Sequence, residues 1–246
     1  MRSFARRYHH RIVLEFVPLT DQGRRFSEQY TIRLGDVDSR GLLRLDGAAR
    51  FLQDVATDDW SDTGITSEDT WVVRRTTLRL AEGGTWPQYL DRVKMTTWCG
   101  GVGAAWAERR TNFDLDGKGS LEAAGLWVPV SPTGHPVRVR ESFFDVYGQS
   151  AKARKVSGRV SVPPVTSDAT YRSWPLRNAD FDILGHVNNA AVWQAVTELA
   201  TPPLSWVSVT HHQSLERDDE VTLASAPGAM WLIVDGVIKV SVEYSP

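Results

Sequence analysis

The sequence predicts an α+β fold made of two tandem copies, each a single helix followed by a long antiparallel sheet. Three observations carry this prediction. A loop pattern recurs at an offset of 144 residues (177 minus 33), one helix-period run follows each copy, and a train of strand-period segments follows each helix.

The repeat sets "YTIRLGDVDSRGLLRL", from Tyr30, against "YRSWPLRNADFDILGHVNN", from Tyr171. Arg33 falls on Arg177, Asp36 on Asp180, Asp38 on Asp182 and Gly41 on Gly185, with Tyr30 on Trp174. After the first loop, "LDGAARFLQDVATDDW" places Leu45, Ala48, Ala49, Leu52 and Val55 at helical spacing, and Asp46 is expected to cap its start. After the second loop, "NNAAVWQAVTELA" is the helix, capped by Asn188 or Asn189 and ended by Pro202 and Pro203.

The first helix precedes the strand-like runs "WVVRRTTLRL", "DRVKMTTWCG", "AAWAERRTNFDL" and "EAAGLWVPVS". "DLDGKG" between two of them carries the Asp-Gly signature of a hairpin turn, and it lacks the ligand spacing and closing glutamate of a calcium loop. "LSWVSVTHH", "DEVTLASA", "GAMWLIVDG" and "VIKVSVEYS" repeat the pattern in the second half.

Composition bounds the function. With 41% hydrophobic residues, 24% charged and a formal net charge of −2, the chain reads as a globular domain whose main partner is not nucleic acid. Its ten tryptophans suit packed cores or a pocket for a large apolar ligand. The lone cysteine, Cys99, sits on a strand-like segment and reads as a small buried residue, which suits a reducing cytoplasm. Glu15 interrupts the only short apolar run near the N-terminus, so neither a signal peptide nor a membrane span is read there.

The two loops differ where chemistry would show. Leu42 in the first copy is replaced by His186 in the second. Asp36, Asp38 and Asp180 read as turn residues, whereas Asp182 and His186 lie four apart in a turn closed by Gly185, so carboxylate and imidazole can approach one another. The helix start just beyond, at Val187, Asn188 and Asn189, offers backbone N–H groups to a developing oxyanion. A base beside an oxyanion site is what carbonyl hydrolysis requires. No Gly-x-Ser-x-Gly elbow is present. The pairs His9–His10 and His211–His212 are adjacent rather than on one face, read as incidental, and no metal or cofactor is expected.

"DFDILGHVNN", Asp180 to Asn189, resembles the D-x-D-x-N-x-H-V-N-N motif of the acyl-acyl-carrier-protein thioesterases of plant and bacterial type. "IRLGDVDSRGLLRLDGAARFLQDVA", "WVVRRTTLRL", "TTW" and "GLWVPVSPTGHPVRV" extend the likeness through the first half. The G-H-V-N-N string by itself also occurs in single-hotdog thioesterases acting on coenzyme A esters. The resemblance implies a double hotdog, in which each antiparallel sheet wraps a central helix: an extension over residues 1–25, a first hotdog domain at 26–140 shaping the acyl pocket, a linker at 141–168, and a second hotdog domain at 169–246 with the catalytic loop. It implies release of free fatty acid from acyl carrier protein, with Asp182 and His186 in the catalytic loop and Gln53 and Trp60 placed to line the pocket.

Two positions depart from the family pattern. The family's asparagine falls on Leu184. Its downstream acidic residue, in a "RREC"-like string, aligns without gaps on Leu215 of "HHQSLERDDEV", which makes Glu216 the candidate. The implied partner is the acidic carrier protein. Six basic residues against two acidic ones between Arg138 and Arg159 offer a docking stretch, with Arg154 and Lys155 at its centre, or else a solvated linker. A homodimer is left open. A coenzyme A thioesterase on the same fold and a noncatalytic acyl-binding module are the alternatives.

Overall fold

The computed structural model describes residues 16–67 and 69–246; His9 and His10 lie outside them. Strand β1 (Phe26–Thr31) leads through the first loop into α1 (Leu45–Asp62), and then come β2 (Thr70–Leu80), β3 (Arg92–Val102), β4 (Ala107–Leu115) and β5 (Lys118–Val130). A short helix α2 (Glu141–Tyr147) follows. The order then repeats with β6 (Thr170–Ser173), the second loop, α3 (Asn189–Thr197), β7 (Trp206–His211), β8 (Thr222–Ala226), β9 (Ala229–Val234) and β10 (Val237–Ser245).

The ten strands form one sheet in the order β1-β3-β4-β5-β2-β7-β10-β9-β8-β6. Read inward from either edge, the halves are identical: β1-β3-β4-β5-β2 matches β6-β8-β9-β10-β7. They meet where β2 pairs antiparallel with β7, from Arg75↔Thr210 to Arg79↔Trp206. Thr77 and Ser208 hydroxyls hydrogen-bond across that seam at 2.9 Å. Each sheet half wraps one helix, the hotdog arrangement, and here both lie in one chain.

The helices pack against each other inside the sheet. The helical spacing of α1 turns Leu45, Ala48 and Val55 inward, all with no exposed surface. Leu45 and Val55 each gain about 1.5–3 kcal/mol from that burial. α3 is shorter and more apolar because α1 and the sheet cover it; Val192, Trp193, Ala195 and Val196 are all buried. The core continues onto the sheet through Leu78 of β2 and Val209 of β7.

Turn chemistry fixes the hairpins. Asp116 and Gly117 take φ of 51° and 81°, and Asp235 and Gly236 take 49° and 76°, the pair of left-handed residues that joins twisted strands.

Three expectations change. Asp46 does not cap α1: the N-cap is Arg44, with no side-chain cap, and its Nε donates to Asp46 Oδ1 at 2.9 Å. An adjacent cation has taken the carboxylate. α3 ends at Thr197, ahead of Pro202 and Pro203, whose ring constraint acts beyond the helix. The stretch 141–168 begins with helix α2, whose Phe143 and Tyr147 are buried. Its remainder is pinned to both halves, by Trp106 Nε1 donating to Val156 O at 2.8 Å and Trp231 Nε1 to Pro163 O at 3.0 Å.

Candidate active site

The two loops share one backbone. Asp36 Oδ2 accepts the Arg33 N–H at 2.8 Å, and Asp180 Oδ2 accepts the Arg177 N–H at 2.8 Å. Gly41 (φ 80°) and Gly185 (φ 82°) adopt the left-handed conformation that glycine allows. Their N–H groups close the turns onto Asp38 O at 2.9 Å and Asp182 O at 3.0 Å. Asp38 and Asp182 each accept a backbone N–H two residues on, from Arg40 at 2.8 Å and Leu184 at 2.9 Å. These shared residues build the turn in both copies.

A second duplicated turn lies beside each loop, and its offset is 128 (215 minus 87). Leu43 N–H donates to Pro87 O at 2.8 Å, and Val187 N–H donates to Leu215 O at 3.0 Å. Gln88 N–H then donates to Asp91 Oδ2 at 2.8 Å, while Glu216 N–H donates to Asp219 Oδ2 at 2.8 Å. Gln88 in the first half and Glu216 in the second therefore occupy one structural position. Only in the second half does it carry a charge, and only there does it face a histidine.

His186 Nδ1 lies 2.8 Å from Glu216 Oε2. Ser214 Oγ donates to the other oxygen, Oε1, at 2.5 Å. The Ser214 hydroxyl first, and His186 second, hold the Glu216 carboxyl below the usual carboxylate range against the opposing effect of burial. The ionised carboxylate orients the ring through Nδ1, and among the described residues no hydrogen bond occupies Nε2. The imidazole is 48% exposed, so water and substrate can reach that nitrogen.

The carboxylate partner of His186 is thus Glu216, not Asp182. Asp182 Oδ1 is taken by the Leu184 N–H, and Oδ2 accepts from Asn188 Nδ2 at 3.4 Å. The Asx turn that Asp182 makes turns its carboxylate back onto its own loop. Leu184, where the family has asparagine, contributes only that backbone N–H and leaves its side chain exposed.

The helix start also differs from expectation. Val187 N–H is spent on Leu215 O, and Asn188 N–H on Asp180 O at 2.7 Å. Asn188 Oδ1 caps the helix by accepting from Ala190 N–H at 2.8 Å. Neither backbone N–H can serve an oxyanion. Of the three residues, only Asn189 has a backbone N–H with no hydrogen bond among the described residues.

A cavity of about 290 Å³ opens in the first half, between α1, α2 and strands β2 to β5. Trp60, Trp71, Trp98, Trp127 and Phe143 give it an aromatic wall. Trp60 of α1 is one of these lining residues. Gln53 is not: it lies one helical turn away, where its carbonyl accepts the Thr57 hydroxyl at 2.9 Å. The β2 strand that carries the cavity rim, at Thr70 and Trp71, is tied to the end of β7 through Arg74, whose Nη1 donates to His212 O at 3.0 Å. Cys99 also lines the cavity, and burial pushes its thiol up to about 11, so it behaves as an inert apolar surface there.

Residues 23–147 match the family described as the acyl-ACP thioesterase N-terminal domain, half of the chain. The chain belongs to the acyl-ACP thioesterase family. An uncharacterized protein of Mycobacterium tuberculosis, found in two strains, is 26% identical over 195 residues, 78% of this chain and 77% of that protein. A 12:0-ACP thioesterase from Umbellularia californica superposes with a TM-score of 0.72 at 17% identity, covering 91% of this chain and 97% of that one. An acyl-ACP thioesterase from Bacteroides thetaiotaomicron gives 0.70 at 17% identity, with coverages of 90% and 97%. A Lactobacillus plantarum structure, provisionally named an oleoyl thioesterase, gives 0.76 at 18% identity over 92% of this chain and 97% of its own. These likenesses bear out the double hotdog fold.

For an acyl-ACP thioesterase, hydrolysis of acyl thioesters is the reaction the site has to perform, and a base with an ionised partner suits it. The thioesterase has no described helix long and apolar enough to cross a membrane. Arg154 is withdrawn from the docking stretch, because its Nη1 donates to Glu108 Oε1 at 2.5 Å and to Gly100 O at 2.9 Å. Lys155, Arg138 and Arg159 remain exposed. Sequence comparison at a single offset of 144 could not pair Glu216 with Gln88, because the stretch from the loop glycine to this turn is 16 residues shorter (144 minus 128) in the second half, where both the helix and the seam strand are shorter. The signal that finds them is local: Gln-x-x-Asp at 88–91 and Glu-x-x-Asp at 216–219.

Proposed function

We propose that this thioesterase releases free fatty acid from acyl-[acyl-carrier-protein] in the cytoplasm, with His186 as the base and Glu216 as its partner. The observation that carries the assignment is the 2.8 Å contact between His186 Nδ1 and Glu216 Oε2, which leaves Nε2 to face solvent. Water attacks the thioester carbonyl carbon while Nε2 removes its proton. Glu216 stabilises the imidazolium that forms. The C–S bond of the tetrahedral intermediate then breaks, and the imidazolium returns its proton to the departing thiolate. The Asn189 N–H is the backbone donor in reach of the loop for the oxyanion. The cavity behind Trp71 would take the acyl chain. Asp182 acts by building the turn that presents His186.

Carrier protein as the thiol donor is supported by the family and by exposed Lys155, Arg138 and Arg159, which suit an acidic partner. The test compares kcat/KM for one acyl chain presented on carrier protein and on coenzyme A. A preference for the carrier of tenfold or more is expected; equal or reversed preference identifies a coenzyme A thioesterase, and no thiol release from either identifies a noncatalytic acyl-binding protein.

A further inference from the structure

The wall of the cavity is not uniformly apolar. Arg109 of β4 lines it, with a side chain 17% exposed. Behind that guanidinium sits Asp59 of α1, with no exposed surface. Asp59 Oδ2 accepts from Arg109 Nη1 at 2.5 Å and from Tyr147 Oη at 2.9 Å, and Oδ1 accepts from Arg24 Nε at 2.7 Å. Arg109 Nη1 also donates to Thr97 Oγ1 at 3.1 Å. A cation that still reaches solvent is therefore built into a pocket whose largest lining side chains are aromatic, with Asp69, Glu108, Thr57 and Thr70 among the others.

The donor count is uneven. A guanidinium has five N–H donors. Among the described residues the protein groups that meet Arg109 are Asp59, Thr97 and the Tyr147 hydroxyl. Buried ion pairs contribute little net stability, and a desolvated N–H without an acceptor is costly. The depth of the cavity places this donor away from the active loop. Its β2 rim lies on the strand that pairs with β7, which runs into the Glu216 turn, whereas Arg109 lies on β4, beyond β5, and Cys99 on β3 lies beyond that, so the cavity spans three strand spacings, about 14 Å.

We propose that Arg109 is a specificity residue: the cavity takes an acyl group bearing an oxygen acceptor, a ketone or hydroxyl, remote from its thioester, and Arg109 donates to that oxygen. This rests on the reading of the cavity as the acyl site. A plain alkyl end placed there would leave the guanidinium donors unmet, and a site built to hydrogen-bond an oxygen discriminates against the analogue lacking it. The aromatic walls hold the methylenes between, and the Asp59–Arg24–Tyr147 cluster fixes the guanidinium in one orientation.

The test measures binding of free carboxylic acids to the His186→Ala protein by calorimetry, so it reports on the cavity whether or not the chain hydrolyses thioesters. Decanoic acid is compared with acids of the same length carrying a ketone or hydroxyl at successive carbons. The expected result is binding at least about tenfold tighter for one remote oxygen position than for decanoic acid, with a single optimum along the chain. Adding the charge-balanced pair Arg109→Met and Asp59→Asn should abolish that optimum and leave decanoic acid bound as well or better. Decanoic acid binding as tightly as every oxygenated acid overturns the proposal, as does an optimum that survives in the paired variant. If the paired variant does not fold, the positional series in the single variant still decides. No binding by any acid would count against the cavity as acyl site and so against the reading beneath it. Carbonyl placement near the carboxylate, rather than remote from it, would count against Arg109 alone.

Discussion

The two loop regions have the same backbone and different contents. Each has an arginine–aspartate turn, an Asx turn, a left-handed glycine and a neighbouring turn anchored by an aspartate. In the first copy the facing side chains are Leu42 and Gln88; in the second they are His186 and Glu216. The first copy starts its helix with Arg44, which pairs with Asp46, and the second with Asn188, which caps directly. Residues common to both copies hold the turn, and residues that differ are the ones to which we assign the proposed chemistry. The comparison separates Asp182, which has an exact structural counterpart in Asp38, from His186, which has none.

The largest effect is expected from His186→Ala. It should lower kcat/KM for an acyl thioester by about 10³-fold, the worth of a positioned general base, with thermal stability essentially unchanged because the ring is half exposed. Steady-state hydrolysis and a melting curve check both halves of that statement.

A second asymmetry concerns the seam. β7 carries His211 on its buried face, with Nε2 unpartnered among the described residues, whereas β2 has no histidine. Burial, with smaller contributions from Arg74 and His212, depresses its pKa to about 4. The unfolded chain binds this proton near the ordinary value of 6.5 and the folded chain does not, so stability is full above that pH and falls as pH drops from 6.5 towards 4. The loss should approach about 3 kcal/mol. Denaturant titrations from pH 7 to pH 4 should show a flatter acid limb in His211→Leu than in the parent; identical limbs would remove His211 from the seam's pH response.

The smallest effects test the claim that the aspartates are architectural. Asp182→Ala should destabilise by about 1 kcal/mol, the loss of its turn hydrogen bond from the Leu184 N–H, and Asp38→Ala by about 1–2 kcal/mol, because Asp38 accepts from both the Arg40 and Leu42 N–H groups. Chemical denaturation of both variants settles this. A loss of activity in Asp182→Ala as large as that of a Glu216 variant would return Asp182 to the catalytic group.

What the sequence reveals here depends on how local the determinant is. The loop, the Asp-Gly turn, both helices and the strand runs are each set by residues within a few positions of one another. Asp46 misled because a neighbouring arginine competes for its carboxylate, which spacing alone does not show. Glu216 was reachable as a candidate, but its partnership with His186 crosses 30 residues and depends on where β7 ends. The Asp59–Arg109 pair crosses 50 residues and two layers of the fold, and no periodicity announces it. The withdrawal of Arg154 into a pair with Glu108 is of the same kind.

If His186 and Glu216 act as one unit, a double-mutant cycle will show it. Single-turnover hydrolysis of a small acyl thioester would be measured for the parent, Glu216→Gln, His186→Ala and the double variant, with Gln88→Ala as the first-copy control. Glu216→Gln should lower the rate by about 50-fold in the parent and by less than twofold once His186 is gone, and Gln88→Ala should change nothing. Independent losses that multiply in the double variant, or a Gln88 effect equal to that of Glu216, would contradict it.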